Sequence, residues 1–107
     1  MSEKMVPYTI DGKRLVYEMP KELDHHVAER LCLELDMLIE SCGIKEAMLD
    51  FSKTTFMDSS GIGVIIGRSK KMQLYGGVLV VKNMSKRVHM IFDAAGLGKI
   101  VKITEEM

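Results

Sequence analysis

The spacing of apolar residues changes along the chain, and these changes predict the order of its elements. Residues 8–10 and 15–19 flank Asp11-Gly12, a dipeptide typical of tight hairpin turns. From residue 24 the apolar positions recur three and four apart, which indicates an amphipathic helix with Asp24 as its N-cap. The apolar positions of this helix are Val27, Leu31, Leu35, Leu38 and Ile39.

The rest of the chain alternates between predicted strands and helices. Residues 47–51, 78–82 and 100–103 have the pattern of short, buried strands. One helix is predicted to begin at Ser59 or Ser60 and to end near Leu74, and another begins after Ser85 as its cap. This alternation predicts an α/β fold, a mixed sheet of four to five strands with helices packed on it, whose first strands are antiparallel.

Composition and charge exclude several classes of function. The 107 residues are 47% hydrophobic and 28% charged, as expected for one globular domain. Fifteen basic residues balance fifteen acidic ones without a basic block, so we expect no direct binding to nucleic acid or to a membrane surface. The N-terminal segment lacks the apolar core of a signal peptide, and no apolar run could span a bilayer. We therefore expect a cytoplasmic protein.

The segment TTFMDSSGIGVIIG, residues 54–67, places three glycines within a predicted helix. Each glycine costs about 1 kcal/mol relative to alanine in a helix interior. On a wheel of about 100° per residue, the core face holds Ile62, Ile65, Ile66, Ser69 and Met72. The outward face holds Ser60, Gly63, Val64, Gly67 and Lys71. So small an outward face indicates close approach of another molecule, or else glycines that the helix merely tolerates.

Neither a nucleotide-binding loop nor a catalytic site fits the same segment. Gly61-x-Gly63 is followed by Ile66 where the dinucleotide fingerprint needs glycine, and the loop lacks a Walker-type lysine. The serines have neither a nearby base in sequence nor a G-x-S-x-G elbow. Adjacent helical residues such as His25 and His26 point about 100° apart, which does not favour a metal pair. We predict no catalytic residue, no cofactor and no metal.

Two motifs, ELDHH at residues 22–26 and FMDSSGIGVIIGR at residues 56–68, resemble those of the bacterial anti-sigma factor antagonists of the STAS domain family. The similarity continues through FDAAGLGKIVKI at residues 92–103 and is greatest to the sporulation members. This resemblance implies a single STAS domain over residues 1–107. It also implies a regulatory protein rather than an enzyme.

The resemblance further implies a phosphorylation switch. Ser59 is the implied acceptor, phosphorylated with ATP by a partner anti-sigma factor that is also a serine kinase. The unphosphorylated form is expected to bind that partner and release a sigma factor, and a serine phosphatase resets the switch. The expected partner-binding residues lie at two helix starts: Asp24, His25, Asp58, Ser60, Gly61, Gly63 and Val64.

Four functions remain open on the sequence. An antagonist that regulates sporulation is the first, and a stress-response antagonist of the same family is the second. The third is a STAS module that scaffolds a larger signalling complex. The fourth is a small phospho-ligand-binding protein or enzyme of flavodoxin-like shape.

Overall fold

A computed structural model describes residues 6–104, which form seven strands and three α-helices. The strands are β1 (Tyr8–Asp11), β2 (Arg14–Glu18), β3 (Glu22–Leu23), β4 (Glu46–Asp50), β5 (Phe56–Met57), β6 (Val78–Lys82) and β7 (Lys102–Thr104). The helices are α1 (His25–Ser41), α2 (Ser59–Leu74) and α3 (Lys86–Ala94), and a 3-10 turn covers Leu97–Lys99. The predicted order of hairpin, helix, strand, helix, strand, helix and strand is confirmed.

Five of the strands form one mixed sheet in the order β1-β2-β4-β6-β7. β1 pairs antiparallel with β2, and the other neighbours are parallel. The predicted α/β fold with a mixed sheet is therefore confirmed. Parallel strands all run in the same direction, so the carboxyl ends of β2 and β4 lie on the same side of the molecule.

The helix caps follow from short polar side chains at the predicted positions. The Asp24 carboxylate accepts a hydrogen bond from the His26 backbone N–H at 2.9 Å, and the Ser85 hydroxyl accepts one from Val88 N–H at 3.1 Å. Both caps satisfy backbone donors that a helix leaves free at its start. Within α1 the buried residues are Leu31, Leu35, Leu38 and Ile39, as its periodicity predicts.

A second, two-stranded sheet is the part of the fold that positions the two helix starts. β3 pairs parallel with β5, with Leu23 opposite Met57. The ladder continues one residue further, to Asp58 just before α2, whose N–H donates to the Leu23 carbonyl at 3.2 Å. The buried Thr54 hydroxyl donates to the Pro20 carbonyl at 2.8 Å and joins the two segments just before they pair. Two residues per strand are too few to show a period in the sequence, so neither strand was predicted.

The outward placement of Val64 on α2 is wrong. Val64 is 1% exposed and belongs to the main core, because α2 packs against α1 as well as against the sheet. Arg68 and Lys71, four and seven residues later, form ion pairs with Asp36 and Glu40 of α1 and mark the same side of α2. The helical wheel assumes that the helix packs against a single surface, whereas α2 packs against two.

The predicted core face of α2 is correct at Ile65, Ser69 and Met72, which are buried. Ile62 and Ile66 pack against the core but remain half-exposed. The buried arc of α2 is thus rotated toward α1, and the half-exposed isoleucines lie on its other side.

Candidate functional site

The motifs at residues 22–26 and 56–68 begin with the same local structure. Each has a two-residue strand, an aspartate and a helix: β3, Asp24 and α1 in one case, β5, Asp58 and α2 in the other. Asp58 accepts a hydrogen bond from Ser60 N–H at 2.8 Å, as Asp24 does from His26 N–H. The backbone angles of the two caps are also nearly equal, with φ of −118° and −107°.

Because β3 and β5 are parallel and adjacent, the two helices begin side by side. We call residues 24–26 and 58–60 the paired helix starts. Both present backbone N–H groups and the positive end of a helix dipole toward the same surface. The structure thus brings together the two helix starts that contain the expected partner-binding residues Asp24, His25 and Asp58.

Ser59 is exposed and is the first residue of α2, whereas Ser60 is half-buried. The predicted start of this helix, at Ser59 or Ser60, is confirmed at Ser59, and Asp58 is its cap. The Ser59 hydroxyl is therefore not needed to cap the helix. An exposed hydroxyl without a capping role is free to react without loss of the helix start.

The charges of the paired helix starts meet between His25 and Asp58. Nδ1 of His25 lies 3.9 Å from Oδ2 of Asp58, with 70% of the His25 side chain exposed. The His25 and His26 rings lie 4.0 Å apart between centroids and are inclined by 36°. The two imidazoles are thus neighbours, contrary to the divergence expected from the helical wheel.

Gly61 and Gly63 have different environments, although both were expected at the partner surface. Gly61 is buried, and a Cβ atom there would collide with Met57 and would come within 2.9 Å of the Leu23 side chain. Gly61 therefore allows the first turn of α2 to lie against β3 and β5. Gly63 is exposed, and a Cβ atom would meet nothing within 4 Å.

The outward face of α2 runs through Ser59 and differs from the predicted one. Its members are Ser59, Ile62, Gly63, Ile66 and Lys70. The two isoleucines were assigned to the core from sequence, and they do pack against it while remaining partly exposed. Phe56, on the neighbouring strand β5, is 42% exposed. The face thus combines partly exposed isoleucines with an open glycine next to an exposed hydroxyl, a combination suited to binding a protein surface.

Asp50, at the end of β4, fixes the loop that leads to β5. Although burial opposes ionisation, hydrogen bonds from the Ser52 N–H at 2.9 Å and the Asn83 side chain at 3.2 Å lower the pKa of the Asp50 carboxyl. The stabilisation from this carboxylate is present above its ordinary pKa and is lost as the pH falls through the lowered value.

Within residues 6–104, no cluster of three or more His, Cys, Asp or Glu side chains is arranged to hold a metal ion. None of the helices in this range has both the length and the apolar character needed to cross a membrane.

The chain belongs to the STAS domain family, which matches residues 5–107. The anti-sigma F factor antagonist of Paenibacillus polymyxa is 36% identical over 89 residues, which are 83% of this chain and 76% of that protein. The anti-sigma F factor antagonist of Lysinibacillus sphaericus is 30% identical over 98 residues, 91% of this chain and 84% of the relative.

A solved structure supports the same grouping. The Bacillus cell fate determinant SpoIIAA in its phosphorylated form is 26% identical, with a TM-score of 0.72. The likeness covers 92% of this chain and 88% of the solved one. The resemblance stated from the two motifs is therefore confirmed at the level of family and fold.

We predict that Gly61→Ala destabilises the protein. The added methyl group would force Met57 or Leu23 to move, at a cost of about 1 to 3 kcal/mol in the free energy of unfolding. Gly67→Ala is the control, because a Cβ atom at position 67 meets nothing within 4 Å and alanine favours the helix by up to about 1 kcal/mol. Urea unfolding of the three proteins measures both effects. Equal loss of stability in the two variants would contradict the packing role of Gly61.

Proposed function

We propose that this protein is an anti-sigma factor antagonist that acts by partner switching. In this proposal the unphosphorylated form binds a serine-kinase anti-sigma factor and thereby releases a sigma factor. Phosphorylation of Ser59 by that kinase prevents binding, and a serine phosphatase restores it. The observation that carries the proposal is the exposed Ser59 at the start of α2, on a helix face where Gly63 leaves open space and Ile62 and Ile66 are partly exposed.

The names of the relatives support the same class of protein. Both relatives described above are anti-sigma F factor antagonists, which favours the sporulation branch over the stress-response alternative. In this role the chain is a regulatory protein and a substrate of a kinase and a phosphatase, not an enzyme. Capture of the partner from the native cell, followed by mass spectrometry, tests the branch. A sigma factor of stress response in the same complex would contradict sporulation.

The local structure explains why phosphorylation would change binding more than folding. A phosphate on Ser59 adds about 1.5 to 2 negative charges and three acceptor oxygens. At a helix start these oxygens meet the positive end of the dipole, which offsets the repulsion from Asp58. The net change in the stability of the domain is expected to be within about 1 kcal/mol.

Binding is affected differently because the same charge lies on the proposed interface. Burying an unpaired or like-charged group against a partner costs several kcal/mol. Since about 1.4 kcal/mol corresponds to tenfold in affinity, the phosphorylated form should bind at least about a hundredfold more weakly. The kinase would add to this effect if it still holds an acidic nucleotide product.

We predict that the kinase modifies Ser59 and not Ser60. Ser59 is exposed, whereas Ser60 is half-buried and its backbone N–H is bound to Asp58. Ser59→Ala should abolish labelling with ATP and leave the free energy of unfolding within about 0.5 kcal/mol of the parent, because Asp58 still caps α2. Fragmentation mass spectrometry of the labelled protein locates the phosphate. Ser60→Ala is the control and should remain labelled; stoichiometric phosphate on Ser60 would show that the acceptor is misassigned.

A second prediction concerns the outward face of α2. Gly63→Leu would place a branched side chain in the open space where a partner is proposed to approach. Leucine favours the helix by about 0.8 kcal/mol relative to glycine, so thermal stability should hold or rise while affinity for the captured anti-sigma factor falls. Gln73→Leu, an exposed position near the end of α2, is the control for added apolar area. Unchanged affinity of the Gly63 variant would exclude this face from the interface.

A further inference from the structure

His25 is the basic side chain that lies across the paired helix starts from Ser59. Leu23 lies opposite Met57, and His25 and Ser59 are each the second residue after this pair and the first residue of their helix. Nδ1 of His25 is already within 3.9 Å of Asp58, the residue next to Ser59. Most of the His25 side chain is exposed, so its ring can turn toward a new group without displacing packed atoms.

The charges around this position are mostly acidic. Asp58 faces His25 from α2, Glu22 lies on β3, and Asp24, His26 and Glu29 belong to its own helix start. Neither residues 22–29 nor residues 56–63 include a lysine or arginine. Within these two segments the imidazoles are therefore the only side chains that can become cationic; beyond them, Lys21 directly precedes β3, and Lys86 and Arg87 begin α3, which packs against β5.

We propose that His25 is the protein's own ligand for the phosphate on Ser59. The imidazole takes a proton from solvent, and the resulting imidazolium donates a hydrogen bond to a phosphate oxygen, while the phosphoester bond itself is unchanged. This contact would join α1 to α2 within one molecule and hold the phosphate over both helix N-termini. The inference rests on the proposed phosphorylation of Ser59 and assigns His25 as a positioning residue for the modified state.

The contact would make the phosphorylated form sensitive to pH near neutrality. Histidine is the side chain that ordinarily changes charge in this range. A proton that binds the folded phosphoprotein more tightly than the unfolded chain stabilises the fold at low pH, and this stabilisation is lost as the pH rises. In the unphosphorylated protein, Asp58 is the carboxylate that pairs with His25 among residues 6–104.

Phosphoserine introduced at position 59 during translation tests the proposal without a kinase. Nitrogen-15 spectra of the imidazole rings, recorded from pH 5 to 8.5, give the titration midpoint of each histidine. The His25 midpoint should rise by about half to one pH unit on changing serine to phosphoserine. His89, which pairs with Asp93 on α3, is the internal reference and should not move. A His25 shift no larger than that of His89, or a shift confined to His26, would overturn the assignment.

Thermal unfolding of variants supplies a second readout. The change in melting temperature on replacing serine with phosphoserine is measured at two pH values. This change should be about 4 °C more positive at pH 6.5 than at pH 8.5. His25→Gln should remove this difference, and His25→Lys should keep the stabilisation at both pH values. His26→Gln is the matched control and should behave like the parent. Retention of the pH-dependent difference in His25→Gln would contradict the proposal.

Phosphorylation of Ser59 by the kinase and the contact between His25 and the phosphate can fail independently of each other. Failure of the kinase to label Ser59 would contradict the switch but would not alter the titration of a protein made with phosphoserine. Conversely, an unchanged His25 titration would remove the proposed contact and would leave phosphorylation of Ser59 by the kinase untouched.

Discussion

The short parallel ladder between β3 and β5 is the interaction on which the rest of the site depends. Two residue pairs, extended by the hydrogen bond from Asp58 N–H to the Leu23 carbonyl, hold two segments that are more than thirty residues apart in sequence. Parallel pairing sends both chains in the same direction, so α1 and α2 must begin next to each other. An antiparallel pair would place the helix starts at opposite ends of the ladder. The adjacency of His25, Asp58 and Ser59 follows from this one constraint.

The paired helix starts have the same capping geometry but different side chains. α1 begins with two imidazoles, and α2 begins with two hydroxyls, of which only that of Ser59 is exposed. Behind Ser59, Gly61 permits close packing on the ladder, whereas Gly63 leaves the outward face open. Val64 and the ion pairs to α1 fix the opposite side of α2. Such a rigid arrangement suits a switch in which the charge of a surface changes while the backbone remains in place.

The sequence predicted the elements whose physics is local. The Asp11-Gly12 turn, the Asp24 and Ser85 caps and the three-four periodicity of α1 depend on neighbours along the chain, and the structure has all of them. β3 and β5 could not be predicted, because two-residue strands exist only through their pairing with each other. The placement of Val64 on the outward face of α2 was wrong for a similar reason. A wheel shows which residues share a face but not how many surfaces the helix packs against. Ser59 was assigned by resemblance, and its exposure is what the structure adds.

The central claim is that phosphorylation of Ser59 changes the charge of the paired helix starts and leaves the fold unchanged. Comparison of the backbone amide spectra of the protein with serine and with phosphoserine at position 59 tests this most directly. The account predicts large shifts confined to residues 22–29 and 54–63, where the new charge is near. Shifts of similar size along β2, β4 and β6, which lie in the main sheet, would show a rearranged fold and would contradict the account.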